Sequence, residues 1–224
     1  MDFLFKIMLG IHIVTGSTGL IVGTIVAALP KGNKLHKTLG TIFLYAMIIS
    51  GTISLYLATV HPNLFLFVIG IFTIYLSLSG YRIQKLRNLN NGQKPKIYDW
   101  IITYTMLAFA IIFLGYGLKN LFTNHINLGI LFSFFGAISA NFVRQDFYVL
   151  RGKWDYKYYW VATHISKMMG AYIASVTAFG VVNSQILKPI PELAIWMAPA
   201  FIGTYFITKW RLNIKNGTMK VFNI

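Results

Sequence analysis

The sequence predicts an all-α fold: a polytopic membrane protein, a bundle of seven transmembrane helices with the N-terminus outside and the C-terminus in the cytoplasm. Three observations lead there. Of the 224 residues, 56% are hydrophobic and only 11% charged, with a mean hydropathy of +0.63, whereas soluble domains carry about 25% charged residues. Seven segments are apolar over about 20 residues, the length that crosses a hydrocarbon core. The cations between them alternate in density from one connection to the next, as the positive-inside rule requires.

The spans are expected at Phe3–Leu29, Lys37–Val60, Asn63–Leu86, Tyr98–Leu121, Ile126–Tyr148, Tyr158–Leu187 and Glu192–Trp210. The first is too long and too weakly basic at its start for a signal peptide, and no A-x-A cleavage site follows it, so it is expected to be retained. The connections after spans one, three and five, together with the C-terminal tail, hold sixteen Lys/Arg, against Lys6, Lys119 and Lys188 on the other side. The longest connection, Arg87–Lys96, contains Asn-Gly and Pro and is expected to be a flexible cytoplasmic turn. Pro199 lies inside span seven, where it removes a backbone hydrogen bond and kinks the helix. All 224 residues are expected to form one integral-membrane domain, in a bacterial inner membrane, because no loop is long enough for a separate domain.

Several function classes drop out. The absence of cysteine removes disulfides, thiolate metal sites and cysteine nucleophiles. A net charge of +15 suggests nucleic acid in a soluble chain, but here the cations sit in short loops between spans. Topology and anionic lipid headgroups at the cytoplasmic face explain them better, and no nucleic-acid partner is expected. There is no H-E-x-x-H, no G-x-S-x-G and no paired aspartate, so hydrolysis is not expected and a non-enzymatic protein is favoured.

The candidate chemistry lies in three spans where a histidine precedes small residues on one helical face. Span one reads His12, Gly16, Gly19, Gly23; span two His36, Gly40, Phe43, Met47; span six His164, Met168, Ala171, Ser175. Small residues permit close helix packing, the commoner reading, or leave room for a flat cofactor beside an imidazole. Span six also carries Lys167, for which a snorkelling ammonium is the expected state. Arg144 and Asp146, at the inner end of span five, are expected to join Lys167 and His164 in a cytoplasmic-side polar cluster, whose plain alternative is an interfacial ion pair.

His12–Gly40, HIVTGSTGLIVGTIVAALPKGNKLHKTLG, resembles the opening of the bacterial membrane-protein family called domain of unknown function 2306. HISKMMGAYIASVTAFGVVN, in span six, is similar to a span of related small seven-helix proteins of Bacteroidetes. The resemblance implies His12, His36, Gly40 and His164 as family-type positions and implies no particular activity.

Depth sorts the histidines. His12 lies near the outer boundary and His164 near the inner one, so His36 with His164 is the inner pair, and His12 with His61 or His125 the outer one. The expected site is therefore a pocket of His12, Gly16, His36, Gly40, His164 and Met168 holding b-type haem or a quinone. The alternatives are a small-solute or proton-linked transporter and a structural membrane subunit. A metal on His12, His61 and His125 is a further candidate, set against ordinary solvated histidines at loop edges.

Overall fold

The computed structural model describes residues 3–154 and 156–218. Lys220, one of the sixteen cations counted above, lies outside them. The described residues form seven α-helices and one 3-10 turn, with no strand among them. The helices are α1 (Phe3–Ala28), α2 (Lys34–Val60), α3 (Leu64–Ile83), α4 (Ile97–Phe122), α5 (Ile126–Leu150), α6 (Tyr159–Val182) and α7 (Glu192–Lys215). Six of them, α1 to α6, are long and apolar enough to cross a membrane. In α7 the apolar run is bounded by Glu192 and Lys209 and interrupted by Pro199, and Arg211 and Lys215 follow inside the helix.

Local chemistry sets the helix boundaries. Gly32, at φ +89°, makes the turn after α1, and Asn33 then caps α2 by accepting from the His36 N–H at 2.7 Å. The cap starts α2 three residues before the predicted span and brings His36 into its first turn. Asn63 caps α3 through the Leu66 N–H at 3.1 Å. Asp99 accepts from the Lys96 N–H at 2.8 Å and anchors the start of α4. Span six ends early, at Val182; turns and bends carry the chain from there to Pro191.

The helices group into two compact units. The first comprises residues 1–84 and 160–224, and so holds α1, α2, α3 and α7 with all of α6 beyond its first residue. Within it α1 packs on α2 and α2 on α3. Two of the α1 glycines are contact points: a Cβ on Gly19 would lie 2.0 Å from Met47 Cε, and one on Gly23 would lie 2.5 Å from the Tyr172 ring. In α7 a Cβ on Gly203 would meet Ile173 of α6 at 2.1 Å. These are the close approaches that small residues give in membrane bundles, where dispersion between helices replaces the hydrophobic effect.

The second unit, residues 85–159, is the antiparallel α4–α5 pair with its flanking segments. Gly117 meets Ser133, Gly129 meets Leu121 and Gly136 meets Leu114, one continuous seam of small residues against larger ones. The connection expected to be flexible is ordered instead. The Tyr159 hydroxyl donates to the Leu86 carbonyl and accepts from the Leu89 N–H at 3.2 Å, and Leu86 and Leu89 are buried. Gln93 Nε2 donates to the Lys85 carbonyl at 2.8 Å, and Asn90 donates to the Trp154 carbonyl. Asn-Gly and Pro do make a turn here, but a distant tyrosine pins it. Tyr159→Phe is expected to cost about 1–3 kcal/mol, because it strands a buried N–H and a buried carbonyl. A thermal melt should fall accordingly, with faster proteolysis between Arg87 and Lys96; unchanged melting would refute this role.

Candidate functional site

One end of the first unit, where α1 ends and α2 begins, collects most of the predicted residues. α3 contributes Tyr75, Ser79 and Gly80, its C-cap is Gln84, and α6 contributes His164, Lys167 and Met168. Gly80 lets α6 approach: a Cβ there would lie 3.0 Å from Lys167 Cβ and 3.5 Å from Met168 Sδ. Met168 therefore packs against α3 instead of leaving space. Through this gap His164 Nδ1–H donates to the Gly80 carbonyl at 2.9 Å, and the Gln84 amide lies against the ring, its Nε2 3.0 Å from Nδ1 and 2.9 Å from Nε2. The Gly80 carbonyl favours the tautomer that carries its proton on Nδ1.

Lys167 does not snorkel. It is 1% exposed, and its Nζ donates to Ser79 Oγ at 2.8 Å and to the Tyr75 hydroxyl at 3.1 Å, standing 4.5 Å from the Tyr75 ring centre. Snorkelling needs a free path to the interface, and here the long stem is packed between α3 and α6 while α3 supplies polar partners at helix depth.

His36 stands in the first turn of α2, beside the end of α1 and an electrostatic neighbour of both Lys31 and His164. Its Nδ1 is buried and has no hydrogen-bond partner. The Val26 carbonyl interacts with the His36 ring as well, and Lys31 Nζ donates to Val26 at 3.1 Å and to Ala27 at 2.5 Å, closing the C-terminus of α1. Lys31 also stands 4.9 Å from the Trp210 ring centre, which brings the end of α7 to the same place. Burial lowers the Lys31 pKa from its ordinary value. One turn beyond His36, on the same face, a Cβ on Gly40 would meet nothing within 4 Å.

The residues expected near the outer boundary have different surroundings. His12 Nδ1 lies 3.0 Å from the Ser50 carbonyl and 3.1 Å from Ser50 Oγ, and Gly16 leaves room for that same hydroxyl. Since Ser50 is fourteen residues along α2 from His36, at about 1.5 Å per residue His12 is roughly 21 Å along that helix from His36. His12 and Gly16 thus lie apart from His36 and His164 and tie α1 to α2. The expected outer pairing with His61 is also corrected. His61 caps α2 eleven residues beyond Ser50, roughly 16 Å away, and its ring packs on Phe5 with centres 4.5 Å apart. No group of three His, Cys, Asp or Glu side chains suited to a metal is found among the described residues.

Arg144 and Asp146 belong to the second unit. They are two residues apart on α5 and diverge accordingly: Arg144 is exposed and reaches Asn141 Oδ1 at 3.3 Å, while Asp146 is buried with the Thr103 hydroxyl 3.5 Å away. The residues that sequence reasoning missed are Lys31, Tyr75, Ser79 and Gln84. Tyr75 and Ser79 lie one turn apart on one face of α3, a signal available in the sequence, whereas Gln84 is the residue just past that helix. Lys31 had been counted only as a loop cation.

Together the fold and this site define a class: an α-helical, membrane-type protein with a polar group of side chains between otherwise apolar helices. No family model matches the chain, and neither a curated protein nor a solved structure is similar to it.

Proposed function

We propose that the chain is a multi-pass protein of a bacterial inner membrane, with seven spans, N-out and C-in, and kin to the domain of unknown function 2306 family. Its function in this reading is to hold a b-type haem or a quinone in a pocket at the cytoplasmic end of the first unit, beside His36 and His164, without catalysing a hydrolysis. The cationic inner loops face anionic headgroups. The observation that carries the reading is His36 Nδ1, a buried imidazole nitrogen with no partner inside the protein. A stranded polar atom of this kind costs about 1–3 kcal/mol, and a bound ligand removes that cost.

Absorption spectra of the purified protein, oxidised and dithionite-reduced, together with solvent extraction of bound cofactors, test it. A Soret band with sharp reduced bands, or a stoichiometric quinone, is expected, and His36→Ala should abolish it. A colourless protein with no extractable cofactor, from cells replete in both, would sink the reading. Orientation is checked separately with single cysteines introduced into this cysteine-free chain: Lys94→Cys should react with an impermeant thiol reagent only in inside-out vesicles, and Lys188→Cys only in right-side-out ones.

A proton-linked transporter is the second reading, favoured by one observation: Lys167 is a buried titratable group held by Tyr75 and Ser79 at helix depth. Proton uptake into proteoliposomes that is lost in Lys167→Met would support it.

A further inference from the structure

Resting on the headgroup contact proposed above, and independent of the pocket, we infer that the α4–α5 pair carries a site for an anionic phospholipid. Its phosphate is held by Arg151 and Lys96, and its acyl chains lie on the aromatic surface of Trp100, Tyr104 and Phe147.

The first observation is the order of the loops. A topology signal needs charge and no fixed arrangement, yet here the arrangement is fixed. Segment 85–96 holds four Lys/Arg and 151–157 holds three, all exposed, and Asp155 is the one acidic residue in either. The two segments are tied to each other. A Cβ on Gly152, at φ +64°, would lie 3.1 Å from the Leu89 carbonyl oxygen, and Asn90 donates to the Trp154 carbonyl. The Tyr159 hydroxyl bonds both Leu86 and Leu89. Cations gathered in this way repel one another, and a bound anion removes that cost.

The second is where two of these cations stand. Lys96 is the N-cap of α4 and Arg151 the C-cap of α5, so in an antiparallel pair both lie at the same end. The Arg151 guanidinium stands 5.2 Å from the Phe147 ring centre, drawn back along its helix. Phe147 in turn meets Trp100 at 6.2 Å and Tyr104 at 5.5 Å. Trp100 is one turn beyond Lys96, whose ammonium is 5.9 Å from the Tyr98 ring centre. Ile101, Tyr104 and Tyr148 are exposed around these rings. Asp99, the acidic side chain of this turn, is buried and accepts from the Lys96 N–H.

These positions select a lipid over a soluble polyanion. A polyanion in water meets the cations alone, whereas a lipid meets the cations and the rings one turn inside the helix ends. A guanidinium presents paired N–H donors to a phosphate. No enclosing walls are required, because the bilayer keeps lipid beside the helices at high effective concentration.

The test uses the full-length protein purified in detergent from cells containing phosphatidylglycerol. Retained phospholipid is read by native mass spectrometry, and melting is followed with added phosphatidylglycerol, phosphatidylcholine or inorganic phosphate. Preferential retention of the anionic lipid is expected, with a rise in melting temperature from phosphatidylglycerol alone. The double variant Lys96→Gln, Arg151→Gln should weaken retention about thirtyfold, at about fivefold for each cation near an anionic surface. Tyr104→Ala, which leaves every charge in place, should weaken it too; Lys119→Gln, at the other end of α4, should not. All four side chains are exposed, and melting in neutral detergent checks that each variant folds. Equal retention of anionic and neutral lipid, or undiminished retention in the double variant or in Tyr104→Ala, overturns the site. An equal rise in melting with inorganic phosphate overturns the lipid as its occupant. Thiol labelling of Lys94→Cys is unaffected by these results, so the orientation stands or falls separately.

Discussion

Replacing Gly117 with leucine is expected to pry α4 from α5 and to cost the second unit its fold. A Cβ at this position would lie 2.5 Å from the backbone nitrogen of Ser133 and 3.0 Å from its Cα. A flexible side chain can swing away from such an intrusion; a helix backbone cannot. Overpacking of ordinary cores costs about 1–3 kcal/mol, and here the effect should sit at or above the top of that range. The whole seam shifts with it, because Gly129 and Gly136 depend on the same interaxial distance. Tryptophan fluorescence of the protein in detergent, followed on heating, should show a large fall in melting temperature. Gly115→Leu is the control: it lies on the same helix, yet its Cβ would meet nothing within 4 Å, so its melting should be nearly unchanged. Equal melting of the two variants would refute the seam.

Lys167→Ala is expected to have the second large effect, about 2–5 kcal/mol, the range for truncating a long buried side chain. Two losses combine. The aliphatic stem packed between α3 and α6 leaves a cavity, and the Tyr75 hydroxyl and Ser79 Oγ lose the ammonium that bonds both. Lys167→Met separates them, because it restores most of the volume and none of the hydrogen bonds. Its cost should be the smaller, about 1–3 kcal/mol for the stranded polar groups. Chemical denaturation in detergent measures both. A neutral alanine variant would show that the buried ammonium does not hold α3 against α6.

The helices were legible because apolar length and low charge are properties of a segment taken alone, and six α-helices of spanning length follow from them. α7 tests the limit of that logic: its ends are as charged as a loop, and only its periodic backbone hydrogen bonds make it one helix. The nearness of His36 to His164 was legible as well, from counting depth along two oppositely directed spans. The divergence of Arg144 from Asp146 was also readable in principle, since two residues on a helix differ by about 200°.

The roles of the glycines were not legible. Gly16, Gly19, Gly23 and Gly40 look alike on their stripes, yet the first three adjoin side chains of other helices and the last adjoins none. The same holds for Lys167, which reads as a snorkelling cation until Tyr75 and Ser79 are found across the gap. It holds too for Arg87–Lys96, whose turn residues are apparent and whose anchor, Tyr159, is about 70 residues away. A chain segment carries its own hydrophobicity, period and caps, so where helices start, stop and turn polar is written locally. Whether a small residue makes a contact or a vacancy, and whether a buried cation has a partner, depends on which side chains meet across the gap between helices. That meeting is set by the packing of segments far apart in the chain, and here it separated a packed glycine stripe on α1 from an open place beside His36 on α2.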